Sequence, residues 1–480
     1  MPGFAQSSFE DFKRQAQERF EQFKEEKQSE FEAYRARVNK EFSEYMRRAW
    51  ARFEPEPAIP APPMPEPPEP VVVDPEEEPT NDPQPYAKVV PLPEVPPQPA
   101  PLVPDAKPDK PAVPLRPEIP KGNALTFDFY GRTCTVPFDE SLKISLRGIE
   151  ENNVADAWAQ LAADKSVEPV KSCIALRDEM RLPDWGYFRL VQKLSEAAFP
   201  NRKNEANLLQ MFLLTQSGYK ARIGRCADRL VVLIPSREQI YNYSFIPIKG
   251  VNYYVVDRSV RSASTYVYNR EFPREQMFSL AIGKQPVLEV DGTSPQVYSS
   301  PYGGGISAEV SVNKNLIDFY NDYPLSSHWN LYAKASLSNE VKEQLYPVLK
   351  SAIADKGATE GANILLRFVQ KAFDYKTDQD QFGDERPLFG DETFYYPYSD
   401  CEDRAILYAV LVRDLLGLDA VLVYYPGHLA TAVKLGDEVS GDYFTIEGEK
   451  YTVCDPTYIN SNVGMAMPQF KGASAEIMKL

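Results

Sequence analysis

A chain of 480 residues is too long for one small domain and suits two or three. With 43% hydrophobic and 12% aromatic residues, it has the material for sizeable cores. Its net charge of −16 excludes a nucleic-acid binder, since no basic stripe exists to neutralise phosphates.

The chain opens Met-Pro-Gly-Phe-Ala-Gln, without a charged stretch followed by an apolar one. Phe-Ala-Gln has the look of the tail of a cleaved export signal, which gives a periplasmic or surface location as the expectation and a cytoplasmic one otherwise.

Residues 8–54 carry a regular repeat. Phe9, Phe20, Phe31, Phe42 and Phe53 follow one another at steps of eleven, as do Phe12, Phe23, Tyr34 and Tyr45. Ala16, Lys27, Val38 and Ala49 fill the third place. Eleven residues over three turns is about 3.67 per turn, so the aromatic stripe runs nearly straight along a helix. At 1.5 Å per residue the segment would be one helix of about 70 Å. A stripe of this kind needs a partner. Self-association as a coiled coil is the first expectation and a membrane-surface helix the second, because acidic and basic residues nearly balance where anionic lipid would favour Lys and Arg. Packing on the globular body is the third.

Residues 55–120 hold 25 of the 43 prolines, interspersed with Glu and Asp. No packed core can form from that composition, and the expectation is a semi-stiff, extended linker.

From 121 onward the composition is globular, and the chain repeats itself in register. Arg189-Leu190-Val191-Gln192-Lys193 matches Arg367-Phe368-Val369-Gln370-Lys371. Ala206, Gly218 and Ala221 match Ala405, Gly417 and Ala420, and the pair Gly250 and Asp257 matches Gly448 and Asp455. The reading is a duplicated α+β unit, with a first copy over 121–262 and a second over 263–480 that begins with a β-rich lead-in.

Five scattered cysteines (134, 173, 226, 401 and 454) include no CxxC pair, so neither a disulfide framework nor a zinc site is indicated. No cofactor-binding or metal-binding residue is assigned. The apolar run Ala405 to Val412 is too short to span a bilayer, and no transmembrane segment is expected.

Ser399-Asp400-Cys401-Glu402 has the form of a capping box opening an apolar helix that Gly417 closes. Cys401 then sits in a first helical turn, where free N–H groups and the macrodipole lower a thiol's pKa. His428 follows the run Val421 to Tyr425 and a Pro426-Gly427 turn; it is one of two histidines, with His328. Asp455 ends the strand Tyr451 to Cys454 and is followed by Pro456. A triad needs such an Asp to hold the imidazole tautomer. It also needs 450–455 to pair antiparallel with 428–435, which makes 436–449 an elaborated arm.

Cys401-Glu402-Asp403-Arg404-Ala405, Pro426-Gly427-His428 and Asp455-Pro456-Thr457 together resemble the signature of the transglutaminase-like superfamily, over about residues 360–460. The resemblance implies a papain-like Cys-His-Asp core in which Cys401 attacks an amide or acyl carbonyl, His428 moves the proton and Asp455 orients it. It implies an oxyanion donor at the Cys401 backbone N–H and a second on an upstream side chain, for which Tyr395, Tyr396 and Tyr398 are candidates. Asp403 is expected to be structural. Bacterial domains of this type resemble peptidases or amidases more than cross-linkers, so the expected activity is thiol-dependent hydrolysis of an amide in a peptide or protein. The alternative is a non-catalytic scaffold of tandem folds on a coiled-coil stalk. In the first copy Arg202 falls where Cys401 lies and Arg229 where His428 lies, so that copy is expected to carry no thiol chemistry.

Overall fold

The computed structural model describes residues 29–30, 32–59, 71–72, 89–91, 123–236, 238–259, 264–326, 328–436 and 438–480. Helix and strand are both abundant, in line with the α+β class. No described helix is long and apolar enough to cross a membrane.

Two six-stranded sheets dominate, and they are built alike. In the C-terminal sheet the order is Val89–Pro91, Ala475–Lys479, Ala420–Tyr425, His428–Val433, Glu449–Cys454, Tyr443–Ile446. In the other sheet it is Ala51–Phe53, Thr265–Val267, Arg222–Cys226, Arg229–Pro235, Val251–Val255, Phe245–Ile248. In each, the next-to-last strand in the chain is inserted beside the central hairpin and pushes its predecessor to the edge. Each hairpin is also preceded by a long apolar helix, Lys203–Gln216 or Cys401–Leu416. One difference is that Ala51–Phe53 joins its neighbour antiparallel, whereas Val89–Pro91 joins Ala475–Lys479 parallel.

The sheet topology sets the boundary between the two units later than the sequence pattern does. Thr265–Val267 pairs with Arg222–Cys226, so residues past 262 still complete the first sheet. The hairpin Gln296–Ser300 with Ile306–Val310 packs on the helices Asn339–Ile353 and Ala358–Ala372 of the second half.

The N-terminal segment departs further from expectation. The helix ends at residue 46, and Ala51–Phe53 is a strand rather than a continuation. Phe42 is buried with its ring 4.1 Å from Phe272, 4.7 Å from Tyr268 and 4.8 Å from Trp158. Met46 and Trp50 are buried in the same cluster, and Val38 and Tyr45 pack against it. Asn39 exchanges two amide hydrogen bonds with Gln216, both 3.0 Å. The body therefore covers this end of the stripe, because burying large aromatics there removes them from water without a second chain. Phe9, Phe12, Phe20, Phe23 and Phe31 lie outside the described residues.

Two short pieces of the proline-rich stretch also join the second half: Val72 bridges Ile459, and Val89–Pro91 extends the sheet. These pieces dock on the body, whereas a free spacer would stand clear of it.

Candidate active site

The helix Cys401–Leu416 is buried from Cys401 to Val412 on every side, between Ala358–Ala372 and the strands behind it. An all-apolar circumference suits a helix with no solvent face. Gly417 ends it at φ 65°, its N–H bonded to the Arg413 carbonyl at 3.1 Å. The start is set one residue later than the Ser399/Glu402 pattern suggests. The N-cap is Asp400, and the carboxylate of Asp403 reaches back to its N–H at 3.3 Å. Asp403 also accepts the Leu388 N–H at 2.9 Å, which ties the preceding loop to the helix. Cys401 is thus the first helical residue, where a backbone N–H lacks an intrahelical acceptor.

His428 opens the strand that faces this helix, directly after the Gly427 turn. Glu449–Cys454 runs antiparallel to it with Thr431 opposite Cys454. Asp455 lies one residue past that pair. It therefore falls diagonally across from His428 on the same face. His428 Nε2 is 2.8 Å from Asp455 Oδ2, and both side chains are sealed from solvent, at 0% and 2% exposure. The other oxygen of Asp455 accepts the N–H groups of Thr457 at 2.9 Å and Tyr458 at 3.2 Å. A carboxylate fixed at both oxygens fixes the ring it holds. With Nε2–H donated to Asp455, the lone pair sits on Nδ1, which is enclosed and has no hydrogen-bond partner. Phe470 stacks on the imidazole at 5.0 Å and 5°.

The sulfur lies beside this pair, where the backbone N–H of Leu429, the residue after His428, favours its anion. The thiol itself donates to Glu402 Oε2 at 3.1 Å. Its acidity is the reverse of what helix position alone suggests: burial first, then the carboxyls of Glu402 and Asp400, push the Cys401 thiol well up. Loss of water and two facing carboxyls outweigh the dipole of one helical turn.

Of the three tyrosines proposed as oxyanion donors, none has its hydroxyl free at the sulfur. Tyr395 is 39% exposed. Tyr396 gives its hydroxyl to Asn321 at 2.8 Å. Tyr398 lies under Lys376, in the short strand paired with Asp374–Tyr375. The pairing instead brings Tyr375 to the site. Its hydroxyl is enclosed without a partner, and burial followed by the neighbouring Cys401 raises its pKa. Arg404 lies over its ring at 5.3 Å. The signal for Tyr375 was strand pairing, which no local motif carries. Gln370 was missed for a similar reason. Its amide donates to the carbonyls of Tyr458 at 2.9 Å and Asp455 at 3.3 Å, so it positions the loop that carries the aspartate.

Five carboxyls surround the start of the cysteine helix: Asp378, Glu385, Asp400, Glu402 and Asp403. One oxygen from each of Asp378, Glu385 and Glu402 lies within 4.8 Å of the others, and the same holds for Asp378, Asp400 and Asp403. Burial first and their neighbours' charge second push them up, Asp378 to about 11. Glu385 is pushed up to about 8 by burial, against an opposing bond with Glu402. No pair in the sequence has metal-ligand spacing; the fold assembles the group from residues spread over 378–403.

In the first unit, Lys203 and Arg229 stand at the starts of the matching helix and strand, and Lys203 Nζ pairs with Asp257 Oδ2 at 2.8 Å. No nucleophile or imidazole is present there.

No protein-family model matches the chain, and neither a curated protein nor a solved structure matches it at a significant level.

Proposed function

We propose that the second unit is a thiol-dependent amide hydrolase of the transglutaminase-like type, acting on a peptide or protein. The observation that carries this reading is the sealed His428–Asp455 pair, whose tautomer leaves Nδ1 as the lone-pair nitrogen beside the helix that Cys401 opens.

In this reading His428 Nδ1 takes the thiol proton as Sγ bonds to the substrate carbonyl carbon. The resulting oxyanion is held by the Cys401 N–H and the Tyr375 hydroxyl. The C–N bond breaks as the imidazolium gives its proton to the leaving amine, which leaves a thioester. His428 then deprotonates water, the hydroxide adds to the thioester carbon, and the acid departs as the thiol is restored. An amine in place of water gives transfer by the same steps. A groove of about 580 Å³, lined in part by Val297, Tyr298, Phe373, Asp374 and Tyr395, borders the strand that carries Tyr375 and offers an approach for an extended peptide.

A second reading, a non-catalytic scaffold, is favoured by the complete enclosure of Cys401 and His428. Iodoacetamide labelling at a fixed neutral pH separates the two. Selective labelling of Cys401 that is lost in His428→Ala supports the enzyme. Labelling no faster than that of Cys134 or Cys454, and indifferent to His428, selects the scaffold.

A further inference from the structure

We propose that Asp378, Glu385, Asp400 and Glu402 form a binding site for one hard divalent cation of the calcium class, set against the nucleophile. The binding claim stands on these carboxylates alone. Its consequence for the thiol rests on the cysteine-hydrolase reading above.

Buried carboxylates are ordinarily paired with a cation or bonded at both oxygens. This group is neither. Asp400 Oδ1, Glu402 Oε1 and Glu385 Oε1 are enclosed and have no hydrogen-bond partner, and Asp400 and Glu402 are themselves buried residues. The two arginines nearby are spent elsewhere. Arg386 binds Glu392, and Arg404 bonds to Ser399 Oγ and to the Phe373 carbonyl. Asp403, by contrast, has both oxygens occupied by backbone N–H groups and is the structural member.

The spacing suits one ion. Oxygens on opposite sides of a calcium bound at 2.3–2.6 Å lie about 4.8 Å apart, and Asp378, Glu385 and Glu402 converge within that span. The donors are all oxygen, and the nearest imidazole, His428, is committed to Asp455. A set of carboxylates without nitrogen selects calcium-like ions over zinc or copper. Magnesium, smaller and reluctant to lose water, is the poorer fit to an enclosed all-protein group.

The placement gives the ion a role. Glu402 receives the Cys401 thiol proton, and Asp400 and Glu402 flank the sulfur on both sides in the chain. A bound dication neutralises the negative charge facing the sulfur and holds Glu402 by its oxygens. The thiol is then released toward His428, and occupancy of the cation site governs the nucleophile.

The test uses the full chain stripped with EDTA and dialysed free of chelator. Calorimetric titration with CaCl₂ is expected to show one site per chain, with MgCl₂ at least tenfold weaker. Calcium is also expected to raise the thermal midpoint of the wild type. Asp378→Asn and Glu402→Gln should each weaken calcium binding at least tenfold. If either variant fails to fold, the wild-type midpoint with and without calcium decides the question. The absence of both binding heat and a midpoint shift at millimolar calcium overturns the site and leaves carboxyls that share protons. Stoichiometric zinc binding that is lost in Cys401→Ala, without calcium binding, overturns the oxygen-donor assignment. Calcium binding retained in Cys401→Ala supports the site whatever the fate of the hydrolase reading. Faster iodoacetamide labelling of wild-type Cys401 on adding calcium supports the coupling, and an unchanged rate overturns it.

Discussion

At the scale of single residues, the site is a set of enclosed polar groups whose unused valences converge. His428 Nδ1, Tyr375 Oη, Asp400 Oδ1 and Glu402 Oε1 all lack partners in a region otherwise densely bonded. Unpaired buried groups are costly, and functional sites are where such costs are retained. Tyr375→Phe removes the hydroxyl and leaves the ring under Arg404. It is expected to lower kcat/KM by roughly 10²–10³, as loss of one oxyanion donor does. A change in kcat without a change in the thermal midpoint separates this role from packing. Tyr395→Phe, whose ring faces solvent, is expected to leave kcat unchanged. Asp391 gives a prediction in pH. Burial pushes its carboxyl up to about 7, while both oxygens accept the Ser338 N–H. A carboxyl raised in the folded state favours folding while protonated. Its contribution is full below about pH 4, the unfolded value, and is lost as pH rises through 7. Asp391→Asn, measured by urea midpoints at pH 5 and pH 8, should therefore show a smaller loss between the two than the wild type.

At the scale of elements, the decisive feature is the order in which strands are laid down. The arm Tyr443–Ile446 is made before Glu449–Cys454 but sits outside it, and this inserts the strand leading to Asp455 directly beside the strand of His428. A plain meander would have left the two a strand apart. The cysteine helix is held in place by its ends. Asp400, Asp403 and Leu388 bond at its start, and Gly417 turns the chain at its finish. A Cβ on Gly417 would meet nothing within 4 Å, so Gly417→Ala tests the backbone alone. A left-handed φ of 65° makes the substitution cost about 1 kcal/mol, read as a lower urea midpoint with an unchanged slope.

At the scale of the whole molecule, one architecture is built twice and equipped once. The first unit keeps the helix, hairpin, arm and inserted strand, but carries Lys203 and Arg229 where the second carries Cys401 and His428. It also receives the N-terminal helix, whose Phe42 fills a cage of Trp158, Tyr268 and Phe272. Phe42→Ala is expected to cost about 3–5 kcal/mol, as removal of a buried phenylalanine does. If this contact is within the chain, the thermal midpoint of wild type and variant alike stays independent of protein concentration. A midpoint that rises with concentration would restore the coiled-coil reading for this segment.

What the sequence determined by itself was local or periodic. Five apolar positions before Pro426-Gly427, a glycine after an apolar run and an Asp before Pro each state a strand, a helix end or a turn in a few residues. That was enough to name Cys401, His428 and Asp455, and the in-register matches pointed to the repeated plan of helix and sheet. The aromatic stripe was also legible, but its partner was not, since a stripe specifies that something covers it without specifying what. Only the tertiary structure decided that the body covers Phe42, that Tyr375 rather than Tyr395, Tyr396 or Tyr398 faces the sulfur, and that carboxyls from 378, 385, 400 and 402 converge beside it. The physical reason is the same in each case. Burial, strand pairing and the electrostatics of close approach depend on distances between residues far apart in the chain, and no local spacing encodes them.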